Sequence, residues 1–276
     1  MQLNRSYLIC ATPRSGSALL CEALNNTGLA GHPDEYFETL KATGLPRQPL
    51  QYFEGLDNEE VRAHLGSYSR VGEEPTRAQL WGTQDYTSYL ARALEEGTTP
   101  NGVFGAKVMW GYLDDFLAQL HELPAFKLDA PTLLGQTFPE LRYIYMTRRD
   151  KLRQAISLWR AIQTWTWRAD AHEPHDAPSL HPNTLLFHAE AVDYLLQQLE
   201  AHDAAWRAFF KEYAIEPFTV VYEEFVPAYE ETARALLRYL AVPHTEDLAL
   251  APRRMKQQSN HLTEDWVQQW QQTHGS

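Results

Sequence analysis

Tyr7-Leu8-Ile9-Cys10-Ala11 runs without a polar interruption into Thr12-Pro13-Arg14-Ser15-Gly16-Ser17, and apolar residues at helical spacing follow directly. A short continuous apolar run reads as a strand buried on both faces, as in a parallel sheet. Ser17 to Leu24 then reads as a helix with Leu19, Leu20, Ala23 and Leu24 on its apolar side. Strand, glycine turn and helix in that order mark the start of an α/β fold.

The rest of the chain repeats the theme. Val103–Val108, introduced by the turn Pro100-Asn101-Gly102, reads as a second strand; Leu141–Met146 is a third and Phe218–Tyr222 a fourth. A helix is expected from about Asp150 to Trp167, where Leu152, Ile156, Trp159 and Ile162 keep helical spacing. Thr184–Tyr213 and Tyr229–Leu240 read as further helices, followed by a polar C-terminal tail; Phe37–Gln84 reads as irregular with short helices. The fold class implied is a three-layer α/β sandwich with a central, mainly parallel sheet. With 276 residues, 44% of them hydrophobic, and no Pro/Gly/Ser-rich linker, residues 1–276 read as a single domain.

The turn after the first strand suits an anion. Backbone N–H groups at a helix start lack intrahelical partners, and the helix dipole favours negative charge there. Gly16 permits close backbone approach, Arg14 offers a charged fork, and Ser15 and Ser17 offer hydroxyls. Open α/β sheets also place their ligands at such strand ends. The segment lacks the Gly-Lys-Ser/Thr ending of a nucleoside-triphosphate loop, which disfavours a magnesium-dependent kinase or GTPase. An ordinary strand-to-helix turn with a serine cap is the plainer alternative.

Other features narrow the field. With 24 Lys and Arg against 36 Asp and Glu, the net charge of −12 gives no broad field for a polyanion, so nucleic acid is not an expected partner. Cys10 and Cys21, the two cysteines, read as reduced core residues in the first strand and helix. No signal-peptide core and no membrane span is legible, and a cytoplasmic protein is expected. Lys107 ends an apolar strand, where a lysine needs a partner for its ammonium or must snorkel to the surface. Trp159 lies on its helix's apolar face and reads as core, whereas Trp165 and Trp167, at the helix end, read as acceptor-site candidates. His172, His175 and His181, with Asp170, Glu173 and Asp176, fall in a proline-interrupted loop over 170–182 that fits no metal-ligand spacing; no metal is expected, and a closing loop is the alternative.

Thr12-Pro13-Arg14-Ser15-Gly16-Ser17-Ala18-Leu19-Leu20 resembles the 5′-phosphosulfate loop of sulfotransferases. Gly28–Phe37, Asn101–Trp110 and Ser157–Thr164 are similar to blocks of the bacterial trehalose sulfotransferase family, in the same order. The resemblance covers most of the chain to Arg168 and is looser beyond it. It implies 3′-phosphoadenosine-5′-phosphosulfate as co-substrate, with Arg14, Ser15, Gly16 and Ser17 at its 5′ end and Arg148 and Ser157 on its 3′-phosphate. Arg149 stands where the family often has Pro. Arg153, Arg253, Arg254 and Lys256 are further cations for the adenosine phosphate.

The resemblance also implies that a hydroxyl of a carbohydrate or glycolipid, trehalose-like, attacks the sulfuryl group in line. Positioning and electrostatics supply most of such a catalysis, and the activated donor needs no metal. Glu35 occupies the position of the family's carboxylate base, His32 is its rival, and Asp34 reads as a solvated neighbour. Lys107 and Arg14 would take up charge. A homodimer is compatible with the bacterial relatives. A small-metabolite kinase and a non-catalytic nucleotide-binding module are the alternatives.

Overall fold

The computed structural model describes residues 2–66, 77–83, 85–123, 129–167, 185–255 and 261–275. They divide into two compact units, each assembled from three stretches of chain: Met1–Pro46, Glu74–Arg149 and His202–Arg253 in the first, Arg47–Glu73, Asp150–Ala201 and Arg254–Ser276 in the second. In chain order the elements begin with β1 (Arg5–Ala11), α1 (Ser17–Asn25), a 3-10 turn (Pro49–Phe53), α2 (Glu59–Gly66), α3 (Arg77–Leu80), α4 (Tyr86–Gly97), β2 (Val103–Met109) and α5 (Trp110–His121). They continue with α6 (Ala130–Thr137), β3 (Arg142–Thr147), α7 (Lys151–Thr164), α8 (Ala189–Glu212), β4 (Phe218–Val221), α9 (Tyr222–Phe225), α10 (Tyr229–Tyr239) and α11 (His261–His274).

The first unit holds a four-stranded sheet in the order β2-β1-β3-β4. Every pairing is parallel, as the uninterrupted apolar runs require. Leu8, Cys10, Phe104, Ala106, Val108, Tyr143 and Tyr145 pack one face against Phe116 of α5, Leu133 of α6 and Trp206 and Phe210 of α8. Tyr7, Ile9, Ala11, Ile144 and Met146, on the opposite face by alternation, have no accessible surface. Gly16, the cap of α1, lies beside Met146 there, and α1 packs against α10. A sheet buried on both faces by helices is the three-layer arrangement expected from the sequence.

The strand order also locates the site. From β1 the chain goes to β2 on one side and returns past β1 to β3 on the other. The crevice beyond the carboxyl ends of β1 and β3 is therefore the switch point of this sheet. Ala11 ends β1 and pairs in register with Met109 and Met146, so the residues following all three strands emerge along one edge.

The second unit has its own core. Tyr52, Phe53, Val61, Leu65, Ile156 and Trp159 pack with Leu195, Leu199, Trp266 and Val267. Trp159 is fully buried, as its helical face predicts, and its indole N–H donates to the Leu186 carbonyl at 2.7 Å. The expected polar tail is instead α11: Trp266 and Val267 anchor it in this core, and it packs against α7. Its many glutamines and charges disguise a narrow apolar stripe. Three more expectations shift. Tyr222 opens α9 rather than ending β4, α7 stops at Thr164 because Trp165 turns left-handed (φ 56°), and α8 begins at Ala189. Cys10 and Cys21 are buried and reduced.

Candidate functional site

The Ala11 carbonyl that closes β1 accepts a 2.9 Å hydrogen bond from the buried Trp206 indole. The chain then turns: the Ser15 amide donates back to the Thr12 carbonyl at 3.3 Å, and Arg14 and Gly16, on either side of Ser15, both have positive φ (61° and 95°). Left-handed backbone at a non-glycine residue is costly and clusters at ligand sites. Gly16 is required twice over, since a Cβ there would lie 2.4 Å from Cδ2 of Tyr222 and 3.0 Å from Cε of Met146. It caps α1 without a side-chain hydrogen bond, and no acidic residue stands in the first turn. Both features suit an anion at the helix start.

Ser15 has no accessible surface, and its Oγ has no hydrogen-bond partner among the described residues. The same is true of Nε of Arg148, the residue immediately after β3. The Arg148 guanidinium lies 4.7 Å from the centroid of the Tyr222 ring, and its Nη1 is 3.5 Å from the Arg14 carbonyl oxygen. Tyr222 thus touches both the loop glycine and the arginine. Its role was hidden in the sequence, where it read as the end of a strand. Buried donors left unsatisfied are expensive, so Ser15 and Arg148 fit an anionic ligand that supplies acceptors. Arg149 is turned elsewhere: its amide donates to Glu223 at 3.1 Å, and its exposed guanidinium pairs with Glu224.

A second polar group sits on β2. Lys107 pairs in register with Ile9 and therefore shares its face of the sheet. Its side chain is only 3% exposed, and its ammonium forms an ion pair with Oε1 of Glu35. The lysine does not snorkel to the surface; its ammonium meets a carboxylate of the chain itself. The Glu35 segment is clamped beside β2. The Lys107 amide donates to the Asp34 carbonyl at 3.0 Å, and the Asp34 carboxylate accepts from the Glu35 amide at 2.8 Å.

Asp34 is more than a solvated neighbour, because it also pairs with Arg77, whose guanidinium lies 4.8 Å from the Tyr36 ring centroid. Burial alone would lower the Arg77 pKa, but the Asp34 carboxylate holds it above its ordinary value. Glu38 is half-buried three residues beyond Glu35. Burial, then the charge and hydrogen bond of Glu35, push its carboxyl well above the usual carboxylate range, with Lys107 opposing in part. Glu38 and Arg77 were missed in the sequence; the three-residue spacing from Glu35 to Glu38 was the available signal. His32 is exposed, with Nδ1 3.1 Å from Oδ1 of Asn25, and no described contact joins it to Lys107.

In the second unit, Ser157 is half-buried on α7, with Arg153 and Arg160 four residues before and three after it on one helical face. Arg153 is committed to carboxylates: it forks onto Glu264 at 3.0 and 2.7 Å and meets Asp150 at 2.6 Å. Arg160 donates to Thr263 Oγ1 at 2.7 Å. Trp165 meets Trp167 edge-on at 5.8 Å, and Trp167 stacks on Tyr52 at 5.8 Å. Arg253, in the first unit, lies 5.6 Å from the Tyr229 ring centroid, and Arg254 is exposed. Lys256, Arg168 and the histidine-bearing loop 170–182 lie outside the described residues. Among the described residues no group of three or more His, Cys, Asp or Glu is placed to hold a metal ion, and no helix is long and apolar enough to cross a membrane.

A sequence model of the Stf0 sulphotransferase family matches residues 6–273. The chain is 32% identical over 272 residues to the trehalose 2-sulfotransferase of Mycobacterium tuberculosis (strain ATCC 35801 / TMC 107 / Erdman), covering 96% of this chain and 94% of that protein. It is 30% identical over 270 residues to the trehalose 2-sulfotransferase of Mycolicibacterium smegmatis, with the same two coverages of 96% and 94%. Among solved structures, sulfotransferase STF9 from Mycobacterium avium aligns with a TM-score of 0.45 at 15% identity, covering 100% of this chain and 70% of that one. The chain belongs to the Stf0 sulphotransferase family, and it is a sulfotransferase.

Proposed function

From that membership, we propose that the chain moves a sulfuryl group from 3′-phosphoadenosine-5′-phosphosulfate to a hydroxyl of a carbohydrate acceptor, trehalose or a trehalose-like sugar or glycolipid. The observation that carries this reading is the pair of buried, unsatisfied donors, Ser15 Oγ and Arg148 Nε, at the switch point of the sheet. Arg14, Ser15, Gly16 and Ser17 cradle the 5′-phosphosulfate, and Arg148 holds the 3′-phosphate. Ser157 keeps its 3′-phosphate role on the resemblance alone. The family match runs through both units, which supports one sulfotransferase domain over 1–276.

The acceptor hydroxyl oxygen bonds to sulfur as the bond from sulfur to the bridging phosphate oxygen breaks. The hydroxyl proton passes to Glu35, and the electron pair leaves on 3′,5′-ADP. Loop amides, Arg14 and Lys107 offset the charge on the non-reacting and leaving oxygens. Lys107 also holds Oε1 of Glu35, which orients the base.

Two assays test the reading. A thermal-shift titration should show a larger rise with 3′,5′-ADP than with 5′-AMP or ATP; equal responses to 3′,5′-ADP and 5′-AMP would remove the 3′-phosphate assignment. Incubation with the phosphosulfate donor and trehalose should yield a sulfated disaccharide, and Glu35→Gln should abolish it. A panel of sugars and glycolipids that yields no product, with 3′,5′-ADP binding intact, would leave only a binding module.

A further inference from the structure

Asp203, on α8, is 3% exposed, and its carboxyl group points at the end of β3. Oδ1 accepts from the Tyr145 hydroxyl at 2.7 Å and from Oγ1 of Thr147 at 3.0 Å, while Oδ2 accepts from Nη1 of Arg207 at 2.8 Å. Tyr145 and Thr147 share one face of β3 by alternation, and Thr147 is the strand's last residue. Arg148 follows it directly. Burying a carboxyl group is costly even when its oxygens are paired, and apolar packing alone would hold a helix on the sheet at lower cost. Trp206, three residues further on, supplies such packing, and its indole N–H also ties α8 to the Ala11 carbonyl at the end of β1. One helix thus grips the last residue of each of the two strands that lead into the phosphate loop and Arg148.

We propose that Asp203 is a positioning residue for the donor: acting through Thr147, it sets Arg148 at the distance from the phosphate loop that a nucleotide phosphorylated at both 3′ and 5′ positions requires. This rests on Arg148 holding the 3′-phosphate. The register shows why an extra hold is needed there. β3 pairs with β1 only as far as Met146, opposite Ala11, and beyond that point Thr147 pairs with Val221 of β4 alone. Asp203 adds a hold through the side chains, and two hydroxyls on one oxygen restrain the strand end better than one. The Arg148 side chain already reaches across to the loop, with Nη1 3.5 Å from the Arg14 carbonyl oxygen. A small displacement of Thr147 therefore changes the spacing between the two anchors, and a misplacement of about 1 Å is worth up to about a hundredfold.

The test reads the ratio of the 5′-AMP dissociation constant to that of 3′,5′-ADP, measured by calorimetry on the full chain. The two ligands share the 5′ end and differ in the 3′-phosphate, so a general loosening of the fold weakens both and leaves the ratio alone. Thr147→Val keeps the side-chain shape and should lower the ratio about tenfold. Asp203→Leu should lower it at least as much. Asp203→Asn keeps Oδ1 for both hydroxyls, and the exposed Arg207 can turn to water, so the ratio should stay within about threefold of wild type. Trp206→Phe releases the end of β1 and should weaken both ligands in parallel. An unchanged ratio in Thr147→Val overturns the proposal, and so does an equal fall in Trp206→Phe or an Asp203→Asn protein as poor as Asp203→Leu. Should Asp203→Leu not fold, Thr147→Val set against Trp206→Phe decides the matter. Arg148→Met tells the two failures apart. If it leaves the ratio unchanged, the 3′-phosphate assignment itself fails and the proposal with it; if it collapses the ratio while Thr147→Val does not, only the role of Asp203 falls.

Discussion

Replacing Gly16 with alanine should injure both the stability of the protein and its hold on the donor. The backbone at Gly16 has φ 95°, a region that costs an L-residue about 1–2 kcal/mol. The added Cβ would also sit 2.4 Å from Cδ2 of the half-buried Tyr222 and 3.0 Å from Cε of the fully buried Met146. Overfilling a packed site costs about 1–3 kcal/mol, so the total expected is about 2–5 kcal/mol. Gly28 is the internal control: it too has positive φ (67°), but nothing lies within 4 Å of a Cβ built there. Gly28→Ala should therefore cost only the backbone part, about 1–2 kcal/mol. Urea denaturation of the two variants measures the difference. In a Tyr222→Leu background the extra cost at Gly16 should shrink towards that of Gly28→Ala. Because Tyr222 also carries the Arg148 guanidinium, Gly16→Ala should weaken the thermal-shift response to 3′,5′-ADP, while Gly28→Ala should not. Equal costs at the two glycines, with 3′,5′-ADP binding kept in both, would refute the loop geometry.

Ser15→Ala removes a buried hydroxyl that has no partner among the described residues, so it should leave the ligand-free protein as stable or slightly more so while weakening 3′,5′-ADP binding about tenfold, as calorimetry can measure. Lys107→Met breaks a buried ion pair and should cost about 3–5 kcal/mol in urea denaturation. Adding Glu35→Gln should recover much of that loss, but sulfation should stay abolished. The raised pKa of Glu38 means that the folded state holds its proton more tightly than the unfolded chain does. Its contribution to stability is thus fully present below the ordinary carboxyl pKa and is lost as pH rises through the raised one. Denaturation curves across that window should fall in stability with pH, and Glu38→Gln should flatten the slope.

The strand, the loop and the helix start from Tyr7 to Leu24 were legible because everything that makes them is local: an apolar run, a glycine at a left-handed turn, and apolar residues at helical spacing. The four strands were legible for the same reason, since strands buried on both faces need uninterrupted apolar runs. Lys107 was half legible. A lysine in such a run announces a partner, but Glu35 was named only as the family's base and not as that partner, and only strand pairing and the clamp at Asp34 bring the two together. Glu38 and Arg77 stayed hidden because a charged residue's meaning depends on who faces it, and those neighbours come from β2 and from the loop. The C-terminal helix was misread as a tail because Trp266 and Val267 form too thin an apolar stripe to stand out until α7 covers it. The two units, each stitched from three separated stretches, left no linker in composition for a reader to find. Local chemistry therefore determined the phosphate loop and the kind of sheet that carries it. Tertiary structure alone decided which carboxylate meets the buried lysine, because that choice depends on desolvation and distance between residues far apart in the chain.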